Sequence, residues 1–273
     1  IEGDDSRVIM DRVIPFVRES AEKDIPFAAV VWFHTPHDPV VAGPDYLAMY
    51  ESLDSEQQRH FYGSITAMDE QIGRLRAELE HLGIADNTIL FFTSDNGPSG
   101  PTTQKGIASA GPFRGHKHTH YEGGIRVPSI VAWPGHLEPA TSGYMSGLVD
   151  YLPTVVDMLG IDASAMLRDR PMDGMSIYAA LKGEADGARP GYLTAGYMRL
   201  FQDDNAIAIV QGRYKLIRPR HSETFELYDL ENDPAETTDL AAEMPGRVLE
   251  LSATLDEWWA SAMNSLKGAD YRY

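Results

Sequence analysis

The sequence contains no cysteine, which excludes disulfide bonds, thiolate metal sites and a cysteine nucleophile within these 273 residues. Basic residues are also scarce: 23 Lys and Arg stand against 41 Asp and Glu, for a formal net charge of −18. Such an acidic balance argues against nucleic acid or an anionic membrane surface as the main partner. A site for an anionic substrate would therefore need a local group of cations.

Long apolar runs and several familiar motifs are absent too. The longest uninterrupted apolar run is about Phe27–Phe33, far shorter than the roughly 20 residues of a membrane-spanning helix. No signal peptide, P-loop, GxGxxG, HExxH, GxSxG or EF-hand loop is visible. What remains is an ordinary globular composition, 43% apolar, that suits one large α/β domain or a main domain with a small appendage.

Alternating strand and helix patterns predict the fold class of residues 1–183. Apolar residues recur at helical spacing over residues 5–22 and again from Ser55, where Ser55 and Gln58 fit a capping box, to Gly83. A strand–helix–strand order predicts an α/β fold with a mainly parallel sheet and helices on both faces. The predicted strands are Phe27–Phe33, Thr88–Thr93 and Val127–Trp133, and a further short helix is predicted at Leu148–Leu159.

The pattern changes after Gly183, which indicates a small second domain over residues 184–273. Short alternating runs predict an antiparallel sheet, followed by a last helix whose apolar face includes Leu251 and Leu255. Five acidic residues at the end of the last strand and in the polar turn after it could suggest a cation site, but their spacing fits a solvated turn better: Asp229, Glu231, Asp233, Glu236 and Asp239. The four predicted strands are Tyr192–Tyr197, Ala206–Gln211, Tyr214–Arg218 and Phe225–Leu230.

Asp95 and Asn96 follow directly after the predicted strand TILFFT. Functional residues of open α/β sheets lie just beyond the carboxyl ends of strands, and the oxygens of Asp and Asn suit a hard cation such as Ca²⁺ or Mg²⁺. The alternative is a plain turn, since Asn-Gly is a strong turn dipeptide. Two ligands are also too few, because Ca²⁺ takes roughly 6 to 8 oxygens.

A dense group of cations and histidines follows in GPFRGHKHTHYEGGIRVP. Lys117 could act as a point charge on a tetrahedral anion. The alternative is a solvated basic loop that binds nothing in particular. Glu122 is interpreted as a partner for a cation rather than as a general base. His34 and His37, in FHTPHDP, could hydrogen-bond an anion or protonate a leaving group near neutral pH.

Together these segments resemble the sulfatase family of the alkaline-phosphatase superfamily. The resemblance rests on PHDP, on DNTILFFTSDNG after the long helix, on RGHKHTHYEGGIRVP, and on ELYDLENDPAETTDLA, which is similar to the family's C-terminal subdomain motif. It covers essentially the whole chain, and KxxxYEGGxRxP is its most specific segment. The fold it implies is alkaline-phosphatase-like and incomplete in this chain.

The resemblance implies roles for individual residues. Asp95 and Asn96 match divalent-metal ligands, usually of Ca²⁺, with Mg²⁺ as the alternative. Lys117 matches the lysine that contacts the sulfate, and His37 matches the histidine near the sulfate and the leaving oxygen. The remaining candidates for contacting a sulfated substrate are Arg114, His116, His118 and His120.

One departure from the family pattern is large. Sulfatases carry their nucleophile in an N-terminal C/S-x-P-S-R motif, whose Cys or Ser becomes formylglycine, and neither that motif nor the family's early Asp pair occurs here. We therefore expect a C-terminal portion of a longer sulfatase, with formylglycine in the missing N-terminal part and no activity in this chain alone.

The expected function is that of a sulfuric ester hydrolase acting on a sulfated carbohydrate. The alternatives are a phosphate or phosphonate ester hydrolase of the same superfamily and a non-catalytic glycan-binding remnant. The expected partner is a sulfated small molecule or saccharide, with no nucleic acid and no membrane, and the resemblance implies a periplasmic or secreted protein. Oligomeric state and substrate identity stay open.

Overall fold

The computed structural model describes residues 3–164, 172–185, 187–197 and 206–269. By its contacts the chain forms two compact units. The first consists of Ile1–Phe92, Gln104–Ala108 and Ile130–Leu137, and the second of Thr93–Thr103, Ser109–Ser129 and Glu138–Tyr273. The segment Ser109–Ser129 thus belongs to the same unit as the antiparallel sheet, and the domain boundary at residue 183 stays a prediction.

The described helices of more than five residues lie where apolar spacing predicts them, whereas the shorter helices were not predicted. Among the described residues, three helices have 17 residues or more. None of the described helices is both long enough and apolar enough to cross a bilayer. In chain order the α-helices of the described residues are α1 (Ser6–Glu22), α2 (Pro44–Ala48), α3 (Glu56–His81), α4 (Gly100–Gln104), α5 (Glu122–Ile125), α6 (Tyr151–Met158), α7 (Tyr178–Leu181) and α8 (Pro245–Leu266). The same ranges contain two 3-10 turns, Ala85–Asn87 and Leu148–Asp150.

The start of α3 confirms one half of the predicted capping box. The side chain of Ser55 accepts a hydrogen bond from the backbone N–H of Gln58 at 3.2 Å, which satisfies one of the free amides of the first turn. The side chain of Gln58 does not return the bond to Ser55. Its Nε2 donates instead to the carbonyl of Gly106 at 2.8 Å, so Gln58 fastens a distant loop within the first unit.

Strands β1 (Leu90–Thr93) and β2 (Ser129–Ala132) lie side by side in a two-stranded sheet. Both fall inside predicted strands. The larger parallel sheet with helices on both faces is not confirmed by the described residues and stays a prediction.

The predicted strand Phe27–Phe33 is wrong, because this segment is not a strand in the structure. Val30 and Trp32 are each 81% exposed. An apolar, β-branched run favours a strand, but a strand forms only where a neighbouring strand accepts and donates its backbone hydrogen bonds. Among the described residues no strand pairs with this one.

The four-stranded antiparallel sheet matches its prediction almost residue for residue. Its strands, in the spatial order β3-β4-β5-β6, are β3 (Leu193–Tyr197), β4 (Ala206–Gln211), β5 (Tyr214–Arg218) and β6 (Glu226–Asp229). Neighbouring strands are antiparallel throughout, with Ala208 opposite Ile217 and Lys215 opposite Tyr228.

Both faces of this sheet are buried. On one face Ile209 and Leu216 pack with Leu251 and Leu255 of α8. The opposite face, which includes Ile217 and Tyr228, packs against Tyr121. Because period-2 alternation places neighbouring residues on opposite faces, the sheet is held between α8 and the segment that contains Tyr121.

We expect Leu255→Ala to lower the free energy of unfolding by about 2–5 kcal/mol, because Leu255 is fully buried and the change leaves a cavity. Leu249→Ala in the same helix is the matched control, since Leu249 is 73% exposed and should lose no more than about 0.5 kcal/mol. Urea unfolding of both variants measures the difference. Equal losses would contradict the packing of α8 on the sheet.

Candidate functional site

The loop after β1 is pinned against the glycine pair of YEGG. The N–H of Gly97 donates to the carbonyl of Gly124 at 2.9 Å. A Cβ on Gly97 would overlap the carbonyl oxygen of Gly123, and a Cβ on Gly123 would overlap the carbonyl of Arg114. Only glycine allows backbones to approach so closely, which explains why SDNG and YEGG both carry glycine at these positions.

Asp95 and Asn96 lie at the start of this pinned loop. Asp95 is exposed, and its carboxylate makes no hydrogen bond or ion pair within the described residues. Asn96 donates its Nδ2 to the carbonyl of Gly97 at 2.9 Å, and its Oδ1 has no protein donor there. A carboxylate and an amide oxygen are hard donors that suit Ca²⁺ or Mg²⁺.

These two residues fit part of a hard-cation site. In the described ranges no group of three or more His, Cys, Asp and Glu side chains could hold a metal ion. Since Ca²⁺ takes roughly 6 to 8 oxygens, Asp95 and Asn96 supply only a minority of what such an ion requires. The metal-ligand roles of both stay predictions.

Lys117 lies in a tight turn that fixes its backbone on several sides. Its N–H donates to the carbonyl of Pro98 at 2.8 Å, and its carbonyl accepts from Nδ1 of His116 at 2.8 Å. The turn is closed by the N–H of Thr119, which donates to the carbonyl of His116 at 2.9 Å. The ammonium of half-buried Lys117 has no ion-pair or hydrogen-bond partner among the described residues, so its charge is available to an anion.

Two neighbours shape the turn. His118 has φ +75°, the left-handed value that the third position of a type II turn requires. The hydroxyl of Thr119 donates to the carbonyl of His116 at 2.7 Å and accepts from its N–H at 3.1 Å. Thr119 was not among the residues predicted from the sequence, although a hydroxyl residue after His-Lys-His is a turn signal.

The guanidinium of Arg114 contacts two tyrosines of the same unit. It lies over the ring of Tyr121 with Cζ 3.9 Å from the ring centroid. Nη1 donates to the hydroxyl of Tyr228 at 2.7 Å and Nη2 to that of Tyr121 at 3.1 Å. Both tyrosine hydroxyls donate in turn to Oε2 of Glu226. Arg114 therefore fastens this segment to the sheet, and its contact with substrate stays a prediction.

His116 and His120 are also used inside the protein. A Cβ on Gly100 would approach the ring of His116 within 2.9 Å, so that ring packs closely on the start of α4. His120 is buried, and burial together with the nearby charge of Lys215 lowers its pKa to about 4. At neutral pH His120 therefore carries no charge. The substrate contacts predicted for His116, His118 and His120 are untested.

His34 and His37 belong to the first unit, whereas Lys117 and Asp95 belong to the second. His34 contacts the carboxylate of Asp5 through Nδ1. Nδ1 of His37 lies 3.0 Å from the carbonyl of Asp38, so this nitrogen donates and Nε2 is the basic atom of the neutral ring. The role of His37 at the leaving oxygen stays a prediction.

The prediction of a solvated turn is wrong for Glu236, which is fully buried, and for Asp229, which is buried at the end of β6. Lys215 of β5 is fully buried as well and donates to Oε1 of Glu122 at 2.8 Å. Glu122 thus has cationic partners, as predicted: Arg126 of its own segment at 3.3 Å and Lys215 of the antiparallel sheet. A lysine between apolar residues in a sheet buried on both faces is the sequence signal that could have drawn attention to Lys215.

Comparison with known proteins gives consistent matches. The family model Sulfatase matches residues 2–161, and the model N-sulphoglucosamine sulphohydrolase, C-terminal, matches residues 114–258. A sulfatase from Formosa agariphila is 31% identical over 282 residues, covering 91% of this chain and 49% of the relative. An N-acetylgalactosamine-6-O-sulfatase from Bacteroides thetaiotaomicron is 31% identical over 214 residues, covering 70% and 40%.

Solved structures show the same fold. The structure of Ps i-CgsB in complex with k-i-k-neocarrahexaose superposes with a TM-score of 0.82 at 22% identity, over 93% of this chain and 54% of that one. The chain thus spans about half the length, or less, of the proteins it matches.

We expect His120 to make stability depend on pH. Its folded-state pKa of about 4 lies below the unfolded value of about 6.5, so the unfolded chain binds the proton first. Above about pH 6.5 His120 is neutral in both states and does not lower the free energy of unfolding. As the pH falls toward 4, proton uptake by His120 in the unfolded chain lowers the free energy of unfolding by up to about 3 kcal/mol. Urea unfolding at pH 7 and pH 4 should show a smaller loss for His120→Leu. Exposed His81→Leu is the control, and equal slopes for wild type and His120→Leu would refute the assignment.

We expect His118→Gly to keep or slightly raise stability, and His118→Val to lower it by about 1–2 kcal/mol, because a β-branched residue opposes positive φ. Thermal unfolding measures both variants. The same pair of changes at His136, whose φ is not positive, is the control. A more stable valine variant at His118 would contradict the turn.

Proposed function

The chain belongs to the sulfatase family, and we propose that the gene product containing it hydrolyses sulfate esters of a carbohydrate. The relatives support a sulfated saccharide as the substrate class. One of them is named as an N-acetylgalactosamine-6-O-sulfatase, and the solved structure of Ps i-CgsB holds a neocarrahexaose.

The observation that carries the proposal is the uncompensated ammonium of Lys117. Its backbone is held by hydrogen bonds to Pro98 and His116, while its side chain has no protein partner within the described residues. A cation held in place before the substrate binds stabilises charge without reorganising during the reaction. In a protein with a formal charge of −18, such a cation also attracts an anion to one place.

The remaining assignments extend the proposal. Asp95 and Asn96 would hold a divalent cation, Ca²⁺ or else Mg²⁺, which when bound would draw charge from the sulfate oxygens. His37, whose Nδ1 hydrogen-bonds the carbonyl of Asp38, would deliver a proton to the leaving alcohol through Nε2. We propose that the nucleophile lies outside these 273 residues and that they do not turn over substrate by themselves.

We expect Lys117→Ala in the gene product to lower kcat/KM for an aryl sulfate at least 100-fold, because a fixed cation at the developing charge contributes about 2.7 kcal/mol or more. Lys105→Ala is the matched control, since Lys105 is an exposed lysine of the neighbouring loop and should leave turnover unchanged. The measurement is the initial rate of the wild type and of both variants with an aryl sulfate and with an aryl phosphate.

Each rival function predicts a different outcome. Faster turnover of the aryl phosphate would favour a phosphate or phosphonate ester hydrolase. Binding of a sulfated saccharide without turnover would favour a glycan-binding protein. Near-normal sulfate hydrolysis by Lys117→Ala would remove Lys117 from the mechanism.

A further inference from the structure

Three side chains from distant parts of the sequence form a buried ion cluster, which we call the Lys215 cluster: Lys215 of β5, Glu122 of α5 and Glu236 of the loop after β6. Nζ of Lys215 donates to Oε1 of Glu122 at 2.8 Å and lies 2.9 Å from Oε1 of Glu236. Lys215 and Glu236 are fully buried, and Glu122 is nearly so.

The cluster holds both ends of the segment that carries Lys117. We call Arg114–Gly123 the Lys117 loop, because the N–H of Gly123 donates to the carbonyl of Arg114 at 2.7 Å and closes its base. At one end Nη1 of Arg114 donates to the carbonyl of Glu236 at 3.2 Å. At the other end Oε2 of Glu236 accepts the N–H of Glu122 at 2.6 Å. One residue thus fastens the two ends of the loop.

Electrostatics makes this attachment rigid. A charge without contact to water must stay paired, because an isolated buried ion is strongly unfavourable. Glu122 is paired twice, with Lys215 through Oε1 and with Nη1 of Arg126 through Oε2 at 3.3 Å. Moving the Lys117 loop away from the sheet would separate Glu122 from Lys215 and leave charges uncompensated.

The strand pairing of β5 does not require a lysine at this position. β5 is already bonded to β4 and β6 along its length, and an apolar residue would suit the face that carries Ile217 and Tyr228. A buried ion pair is by itself weak evidence of net stability, whereas in some proteins such a pair fixes one arrangement of the chain. We propose that Lys215, Glu122 and Glu236 are positioning residues that hold the Lys117 loop, and with it the ammonium of Lys117, in place.

The role of Lys117 toward sulfate rests on the proposed function, whereas the attachment of the loop does not. Amide hydrogen exchange of the 273-residue chain tests the attachment directly. In Lys215→Met we expect the amides of Lys117, Thr119 and Gly123 to exchange at least ten-fold faster than in wild type. The amides of α8 should keep their protection. Lys182→Met, the same substitution at a lysine paired with exposed Glu184, is the matched control and should change neither set.

A second variant distinguishes loss of the loop's attachment from unfolding caused by unpaired buried carboxylates. The triple variant Glu122→Gln, Lys215→Met and Glu236→Gln buries no uncompensated charge, so it should stay folded while the Lys117 loop loses its protection. Unchanged exchange of the loop amides in both variants overturns the proposal. Loss of protection in α8 as large as in the loop overturns it too, because the cluster would then stabilise the whole unit rather than position the loop.

Kinetics of the gene product distinguish this proposal from the proposed function. If the cluster positions Lys117, Lys117→Met lowers kcat/KM for an aryl sulfate at least 100-fold in the wild-type background but less than ten-fold in the Lys215→Met background. Fully multiplicative effects would show that Lys117 does not depend on Lys215. If the gene product hydrolyses no sulfate ester, the proposed function fails, and the exchange of the loop amides still decides whether the cluster holds the loop.

Discussion

A lysine ammonium that is shielded from water has to be neutralised by carboxylates held against it, and the arrangement of the second unit follows from this constraint at Lys215. Its two partners, Glu122 and Glu236, come from the YEGG segment and from the turn after β6. Neither partner can move away without leaving a buried charge unpaired. The antiparallel sheet therefore does more than bury apolar surface, since one face of it becomes the support for the loop that carries Lys117.

Backbone contacts complete what the ion cluster begins. Gly97, Gly123 and Gly124 let the loop after β1 lie directly on the YEGG turn, where any side chain would overlap a carbonyl oxygen. Because the two loops are held by their backbones, the side chains of Asp95 and Lys117 take no part in holding them together. Their charges stay uncompensated by the described residues, which is the condition under which a site can bind a cation and an anion.

Arg114 and His120 show that a cation-rich sequence does not leave every side chain available to a substrate. The guanidinium of Arg114 lies over the ring of Tyr121, donates to the hydroxyls of Tyr121 and Tyr228, and fastens the loop to the sheet. His120 is neutral at physiological pH because it is buried beside Lys215. Of the residues in the predicted basic cluster, Lys117 is the one whose position and free charge fit an anion best.

Local patterns alone determined much of this protein. Apolar spacing defined α3 and α8, alternation defined β4 and β5, and the order of polar residues after β1 and before YEGG marked Asp95, Asn96 and Lys117, because these features depend on neighbours in sequence. Tertiary structure decided the rest. Phe27–Phe33 has the composition of a strand but no described strand beside it, and Glu236 looked like part of a solvated turn until packing buried it. Glu122 and Lys215 are 93 residues apart; their meeting depends on how the sheet packs against the loop, and no local sequence pattern contains that information.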